Sequence, residues 1–234
     1  MTKNIFYFIL FISSVVNAQH SVKGAMNPKI DSDWVILYRI EGTKQVFVGN
    51  TTIKTDSIAV NGKKQAVGRF EFTLKPEAKA GAYRINYRTE GEGFLDFFYS
   101  KENVSFTFNA DYPEQSVTFS KSSENKLYRE YITAISKAQG KLDSIQIAAI
   151  QNPKSTLKTA YKNAYKKVNT IQNKFIETSK EKYIAPIIKA SVQNNSAEIL
   201  TSVDAYIFNI KNTFFEKLDF SNKTLLNSSF LTDR

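Results

Sequence analysis

The stretch VSFTFNADYPEQSVTFSKSSENKLYREYI, residues 104–132, decides the fold class, because the spacing of its apolar residues changes partway along. Its first five residues alternate between apolar and polar, which is the period of a half-buried strand. After Ser123, the apolar residues Leu127 and Tyr131 begin a series with steps of three and four, which is the period of an amphipathic helix. The stretch therefore predicts that strands end and helices begin near residue 120.

The same two-residue alternation fills the chain upstream of this stretch. It is clearest in RFEFTL (69–74) and YRINYR (83–88). WVILYRI (34–40) and FLDFFY (94–99) are more continuously apolar, as in strands that are covered on both faces. With glycine and proline turn signals between the runs, we predict about seven to nine strands in an antiparallel β-sandwich or partly open barrel over residues 19–120.

Downstream, two long apolar series predict an antiparallel helical hairpin over residues 123–184. We expect Ser123 to be the N-cap of the first helix and Asn152-Pro153 to separate the two helices. Gly140 is expected to loosen or kink the first helix. The first apolar series is Leu127, Tyr131, Ile135, Ala138, Leu142, Ile145 and Ala149, and the second is Leu157, Tyr161, Ala164, Val168, Ile171 and Phe175.

Further helices are predicted over residues 186–218, which completes an α+β fold class. Pro186 begins a short third helix, and Ser196 is expected to cap a fourth. The apolar stripe of the fourth helix is Leu200, Val203, Ile207, Ile210, Phe214 and Leu218. Residues 219–234 are expected to form a loop-like connector that looks cut off before the element it would pack against.

The N-terminus has the three parts of a secretory signal peptide over residues 1–18. Lys3 is followed by the uncharged apolar run IFYFILFI (5–12), and Val16-Asn17-Ala18 has the small residues of a cleavage site. The apolar run is shorter than the roughly 20 residues that a membrane-spanning helix needs. We therefore expect export, cleavage between Ala18 and Gln19, and a soluble protein in the periplasm or cell envelope.

The composition argues against most catalytic chemistries. The chain has no cysteine and one histidine, His20, so disulfides, thiolate metal sites, CxxC redox motifs and histidine-based triads are not expected. Glu90, Glu92 and Asp96 are interpreted as charges near a glycine turn. We therefore expect no catalytic, cofactor-binding or metal-binding residue, no cofactor, and a protein that is not an enzyme.

The net charge of +10 is concentrated in the middle of the chain. Residues 121–190 carry 14 basic and 5 acidic side chains, whereas the flanking segments are close to neutral. Lys154, Lys158, Lys162 and Lys166 recur every four residues and predict one stripe on the second long helix. The stripe is either a solvated face or a contact for an anionic surface, such as an anionic membrane or an acidic partner, and export argues against nucleic acid.

Several phrases together resemble a known family. They are DWVILYRIEG (33–42), GRFEF (68–72), GAYRINY (81–87), FLDFFYSKENVSFTF (94–108), SENKLYREY (123–131) and FFEKLDFSNKTLLNSSFLTDR (214–234). Their order and spacing resemble the N-terminal domain of unknown function, with its connector, that precedes a thioredoxin-like domain in exported thiol–disulfide oxidoreductases and peroxiredoxin-like proteins of Bacteroidetes. The resemblance implies an envelope setting. The reactive cysteines of that family lie in the thioredoxin-like domain, so no catalytic residue is carried over to this chain.

Two functions remain open from the sequence. The first is a non-catalytic envelope module that docks or recruits a client for a thioredoxin-like domain or protein. The second is a stand-alone periplasmic module that binds a peptide, a glycan or a lipid on an open face of the sandwich, with Tyr83, Tyr87 and Phe98 as candidate contacts.

Overall fold

The computed structural model describes residues 19–60, 62–88, 93–153 and 156–231. Within these ranges, the strands lie in the first half of the chain and the long helices in the second, which confirms the predicted α+β class. The signal peptide predicted for residues 1–18 lies outside the described residues, as do Lys154, Glu90 and Glu92.

The strands form two sheets that face each other as a sandwich and do not close into a barrel. One sheet has the order β4-β5-β1-β8-β9 and the other has the order β3-β2-β6-β7. The pairs between the described strands are antiparallel, as predicted, with the exception of β1 and β8, which run parallel. The strands are β1 His20–Met26, β2 Trp34–Glu41, β3 Lys44–Thr52, β4 Lys54–Val60, β5 Lys63–Leu74, β6 Gly81–Asn86, β7 Phe94–Tyr99, β8 Val104–Phe108 and β9 Thr118–Lys121.

The core of the sandwich consists of the apolar residues that alternate with polar ones along the strands and point inward. Phe70 and Phe72 on β5 share one buried cluster with Tyr83 on β6 and Phe97 on β7. Gly24 on β1 lets the ring of Phe70 lie directly over the backbone, since a Cβ at this position would come within 2.0 Å of the ring. Side chains from both sheets therefore fill one apolar layer, as in other face-to-face sheet packings.

The helices follow the last strand. The short α1 spans Pro113–Ser116 before β9, and the long helices α2 (Ser123–Gln151) and α3 (Lys158–Ser179) form the predicted hairpin. Tyr131 near the start of α2 packs against Phe175 near the end of α3, with ring centroids 5.4 Å apart, so the two helices are antiparallel. The remaining elements are α4 (Ala185–Ala190), α5 (Val203–Thr213), α6 (Lys223–Leu226) and a 3₁₀ turn at Ser229–Leu231.

The predicted helix boundaries need two corrections. The N-cap of α2 is Ser122, not Ser123, because the Ser122 hydroxyl accepts a hydrogen bond from the backbone N–H of Asn125. Ser196 does not cap a helix, because its hydroxyl is engaged in a local turn with Glu198. The fourth helix begins later, where the Ser202 hydroxyl accepts from the Ala205 amide.

Two further features of the helices concern residues that the sequence singles out. Gly140 lies inside α2, which runs without a break from Ser123 to Gln151. The apolar stripe predicted for the fourth helix is largely on the surface: Val203 is 54 % exposed, Ile207 42 % and Phe214 38 %. The period of the stripe indicated a helix correctly, but in the described structure no other element covers it fully.

One buried amide joins the sandwich to the helices. The side chain of Asn125 on α2 accepts from the backbone N–H of Phe98 at 2.8 Å and donates to the carbonyl of Phe98 at 2.6 Å. It thus pairs with β7, the edge strand of its sheet, in the way that a neighbouring strand would. The ring of Phe98 packs between Tyr128 of α2 and Tyr183 of the turn between α3 and α4, so the outer face of β7 is covered at this position.

The C-terminal segment packs back onto the molecule as far as it is described. Leu225 is buried against Ile187 of α4, with Leu218 and Phe230 beside them. The hydroxyl of Ser229 donates to the carboxylate of Asp96 on β7 at 3.0 Å. Residues 219–231 therefore cover part of the junction between the sandwich and the helices.

Candidate functional site: a basic groove on the helical hairpin

A groove of about 1050 Å³ runs along one face of the α2–α3 hairpin and ends against β9. The two apolar series of α2 and α3 meet along a seam, and the seam residues Ala138, Ile171 and Phe175 also line the groove, so the groove follows the seam on its open side. On α2, the groove residues recur at steps of three and four from Lys126 to Lys141, so they occupy one helical face about 22 Å long.

The floor of the groove is apolar. Small side chains on α2 lie beside larger ones on α3, and residues from β9 and the turn before it close one end. The floor residues are Val117, Phe119, Ala134, Ala138, Ile171 and Phe175. Ala134 and Ala138 are one helical turn apart, and their size leaves open space between the helices.

Basic side chains stand on both sides of this floor. The cations are Lys126, Arg129, Lys137 and Lys141 on α2, and Lys167 and Lys174 on α3. The five lysines are exposed, and Arg129 is half-buried. Glu130 is the acidic residue that also lines the groove.

These cations lack acidic partners in the part of the chain that the structure describes. None of the six takes part in an ion pair there. Lys126 donates to the carbonyl of Ser120 at 2.6 Å, and the ammonium group of Lys174 lies 5.4 Å from the centre of the Phe175 ring. A furrow in which six cations outnumber one carboxylate concentrates the electric field and attracts anionic groups.

A smaller cavity of about 360 Å³ adjoins the groove. It lies between β7, the start of α2 and the C-terminal segment, and it shares Val117, Phe119 and Arg129 with the groove. Tyr128 lines it, and burial raises the pKa of this phenol to about 12, so the group is a neutral hydrogen-bonding side chain at ordinary pH.

The predicted lysine stripe lies elsewhere on α3. Lys158, Lys162 and Lys166 are exposed and lie away from the seam, and Lys154 falls outside the described residues. The ammonium group of Lys158 lies 3.7 Å from the carboxylate of Glu198, and both side chains are highly exposed. One member of the stripe therefore has an acidic neighbour from a distant segment. The described members of the stripe, Lys158, Lys162 and Lys166, do not line the groove, whose α3 cations are Lys167 and Lys174.

The aromatic residues proposed as a ligand platform are not available for that role. Tyr83 and Tyr87 are buried in the sandwich core, and their hydroxyls donate to the carbonyls of Lys79 and Ala110. Phe98 is covered by aromatic side chains of the helices. Tyr83 and Phe98 lie on strands and Tyr87 directly follows β6, but an open aromatic face is wrong because one side is core and the other is covered.

The carboxylate of Asp96 is held by hydrogen bonds from two neighbouring side chains. Its carboxylate receives two hydrogen bonds from Arg84, at 2.6 and 2.8 Å, in addition to the one from Ser229. Among the described residues, no three histidine or carboxylate side chains cluster in a way that could hold a metal ion. No helix in the described ranges is long and apolar enough to cross a bilayer.

No family model, curated protein or solved structure shows a significant match to the chain.

The sequence contained a signal for the groove that the sequence analysis did not use. Lys126, Arg129, Lys137 and Lys141 share one face of α2, next to the face that bears the seam. Their spacing is less regular than the four-residue repeat of the stripe. The pairing of this face with Lys167 and Lys174 also depends on how the two helices rotate about the seam, which spacing alone does not specify.

Proposed function

We propose that this chain is a non-catalytic docking module of the cell envelope, and that the basic groove on α2 and α3 is its docking surface. The observation that carries the proposal is the groove itself: a long apolar floor between unpaired cations on two helices. The partner we propose is a thioredoxin-like domain or protein, as the family resemblance implies. The proposed envelope location rests on the predicted signal peptide at residues 1–18.

The arrangement suits recognition of a partner because it combines two contributions. The apolar floor supplies area that a partner can cover, and burial of apolar area stabilises a complex. The cations around it favour an acidic partner, raise the rate of encounter and select against basic proteins.

The test compares binding by two charge-reversed variants. The purified protein is titrated with thioredoxin-like proteins exported by the same bacterium, and binding is measured by calorimetry. We expect a partner to bind the wild-type protein and to lose affinity for the groove variant Lys137→Glu/Lys141→Glu/Lys174→Glu. The stripe variant Lys158→Glu/Lys162→Glu/Lys166→Glu changes the net charge equally and should keep most of the affinity.

Three results would contradict parts of this proposal. Absence of binding to any thioredoxin-like protein would contradict the proposed partner. Equal loss in the two variants would show that net charge, not the groove, determines binding. Turnover of disulfide substrates by the protein alone would contradict a non-catalytic role, since a chain without a thiolate has no group to attack a disulfide.

A stand-alone ligand-binding module is the second candidate. The volume of about 1050 Å³ is at the upper end of the usual range for small-molecule sites, so a glycan or a lipid would also fit the space. A thermal-shift screen of envelope peptides, glycans and lipids distinguishes this role. A ligand at about a hundredfold excess over its Kd would stabilise the protein by about 2.7 kcal/mol.

A further inference from the structure

We infer that the occupant of the groove is an amphipathic helix whose apolar stripe is flanked by acidic residues. The inference rests on the proposed function, because it names the chemistry of the docking partner. It is carried by the distribution of charge along the groove, by the apolar floor and by the elements that form the walls.

The cations are spread along the groove. Lys126 and Lys141 are separated by about 22 Å along α2, and Lys167 and Lys174 stand on the opposite side. A fatty acid carries one carboxylate and would need cations at only one end of a site. A distributed set of cations on both sides of the floor instead complements a ligand that carries several negative charges along its length.

The floor argues against a ligand that is only a polyanion. Ala134, Ala138 and Ile171 form the apolar floor at the middle of the groove, and the hydroxyl-bearing Thr133 and Thr170 line the groove beside them. A nucleic acid or an acidic polysaccharide would lose hydration over the apolar strip and gain few polar contacts in return. An apolar stripe between two rows of carboxylates matches the floor and the cations at the same time.

The walls favour a helix over an extended strand. Two helices flank the groove, and their backbone groups are already engaged in their own hydrogen bonds. An extended peptide in this groove would find few backbone partners, whereas a helix satisfies its own backbone and presents only side chains. A partner helix of about 15 residues, or four turns, would span the distance from Lys126 to Lys141.

The first experiment measures binding of a synthetic peptide by fluorescence anisotropy. The probe is a labelled helical peptide of about 18 residues, with leucines in one stripe and glutamates on both sides of it. The control peptide has the same composition in an order that removes the stripe. We expect the striped peptide to bind at low salt, to weaken as the ionic strength rises, and to bind at least about tenfold more tightly than the control.

The second experiment places the peptide in the groove. We expect Lys137→Glu/Lys141→Glu/Lys174→Glu to lower the affinity by about tenfold or more, and Lys158→Glu/Lys162→Glu/Lys166→Glu to lower it much less. Ala134→Gln, which fills the floor without changing the charge, should also weaken binding. Circular dichroism and thermal unfolding of each variant confirm that the fold is retained.

A gain of affinity provides an independent check. Glu130 lines the groove and would repel acidic residues of the bound helix. We expect Glu130→Gln to strengthen binding of the striped peptide by a few fold, since removal of one like charge at a rim favours association. We expect this substitution to leave the stability of the protein nearly unchanged, because Glu130 is exposed.

Four results would overturn the inference: equal binding of the two peptides, equal effects of the two lysine variants, no binding of the striped peptide, or groove-dependent binding to phosphatidylglycerol vesicles without binding to the peptide. The proposed function fails separately. A peptide that binds the groove while no thioredoxin-like protein does would contradict the proposed partner but not the helix. A thioredoxin-like protein that binds the groove while the peptide does not would contradict the helix but not the docking role.

Discussion

A single residue, Glu102, connects the sandwich to the start of α2. Its carboxylate accepts hydrogen bonds from the hydroxyl of Ser122, at 2.7 Å, and from the amide of Glu124, at 3.3 Å. Burial alone would raise its pKa, but hydrogen bonds from the Ser123 and Glu124 amides and from the Ser122 and Ser100 hydroxyls outweigh that effect and hold the pKa below its ordinary value of 4.5.

This lowered pKa predicts a pH-dependent contribution to stability. A carboxyl group whose pKa is lower in the folded than in the unfolded protein stabilises the fold above about pH 4.5, and the contribution is lost as the pH falls through the folded-state pKa. We expect Glu102→Gln to lower the free energy of unfolding by about 1 kcal/mol at pH 7, and by less as the pH falls below 4.5.

Urea unfolding at several pH values measures this difference. Glu77→Gln removes a carboxylate from an exposed side chain in the turn after β5 and serves as the control. An effect of Glu102→Gln that is the same at pH 3 and pH 7 would show that the ionised carboxylate does not stabilise the start of α2.

At the scale of an element, α2 contains a position that weakens it. Gly140 is exposed in the interior of the helix, and no atom outside the helix lies within 4 Å of a Cβ placed there. We expect Gly140→Ala to raise the free energy of unfolding by about 0.5–1 kcal/mol, because alanine reduces the freedom of the unfolded chain and suits a helix better. Thermal and urea unfolding measure the gain, and a loss of stability would mean that the glycine is needed for packing.

The lysine stripe on α3 gives a second prediction at this scale. We expect Lys154→Gln/Lys158→Gln/Lys162→Gln/Lys166→Gln to change stability little, because Lys158, Lys162 and Lys166 are exposed and exposed substitutions usually have effects within about 0.5 kcal/mol each. Relief of repulsion between neighbouring lysines should offset the loss of the exposed Lys158–Glu198 pair.

Sedimentation with anionic vesicles tests whether this stripe contacts a membrane. If it does, wild-type protein should sediment at low salt, and the glutamine variant should not. Binding that survives the four substitutions would place any membrane contact elsewhere on the protein.

How well the sequence predicts burial also differs between the helices. The seam of the hairpin could be predicted because burial of Tyr131, Leu142 and Val168 follows directly from a repeat in the sequence. The exposure of the apolar stripe on α5 could not be predicted, because the same kind of repeat does not say whether another element will cover it, and Val203 remains 54 % exposed. Periodicity determines which face of a helix is apolar, whereas burial depends on what packs against that face.

At the scale of the whole molecule, the groove forms because packing along the seam fixes how α2 and α3 are rotated relative to each other. The sequence showed that residues 121–190 are basic, but it did not show that cations from α2 and α3 flank the same apolar floor. The groove and the stripe on α3 are therefore two separate basic surfaces, and we propose that a partner docks on the groove. This docking site can be tested in one sample, because both surfaces carry lysines.

The measurement is mass-spectrometric acetylation of the lysines with and without a saturating amount of the striped acidic peptide. We expect the peptide to slow acetylation of Lys137, Lys141, Lys167 and Lys174, which line the groove. Lys158, Lys162 and Lys166 are exposed outside the groove and should react at an unchanged rate, which makes them an internal control. Protection of the stripe lysines, or equal protection of both sets, would contradict the claim that the groove is the docking surface.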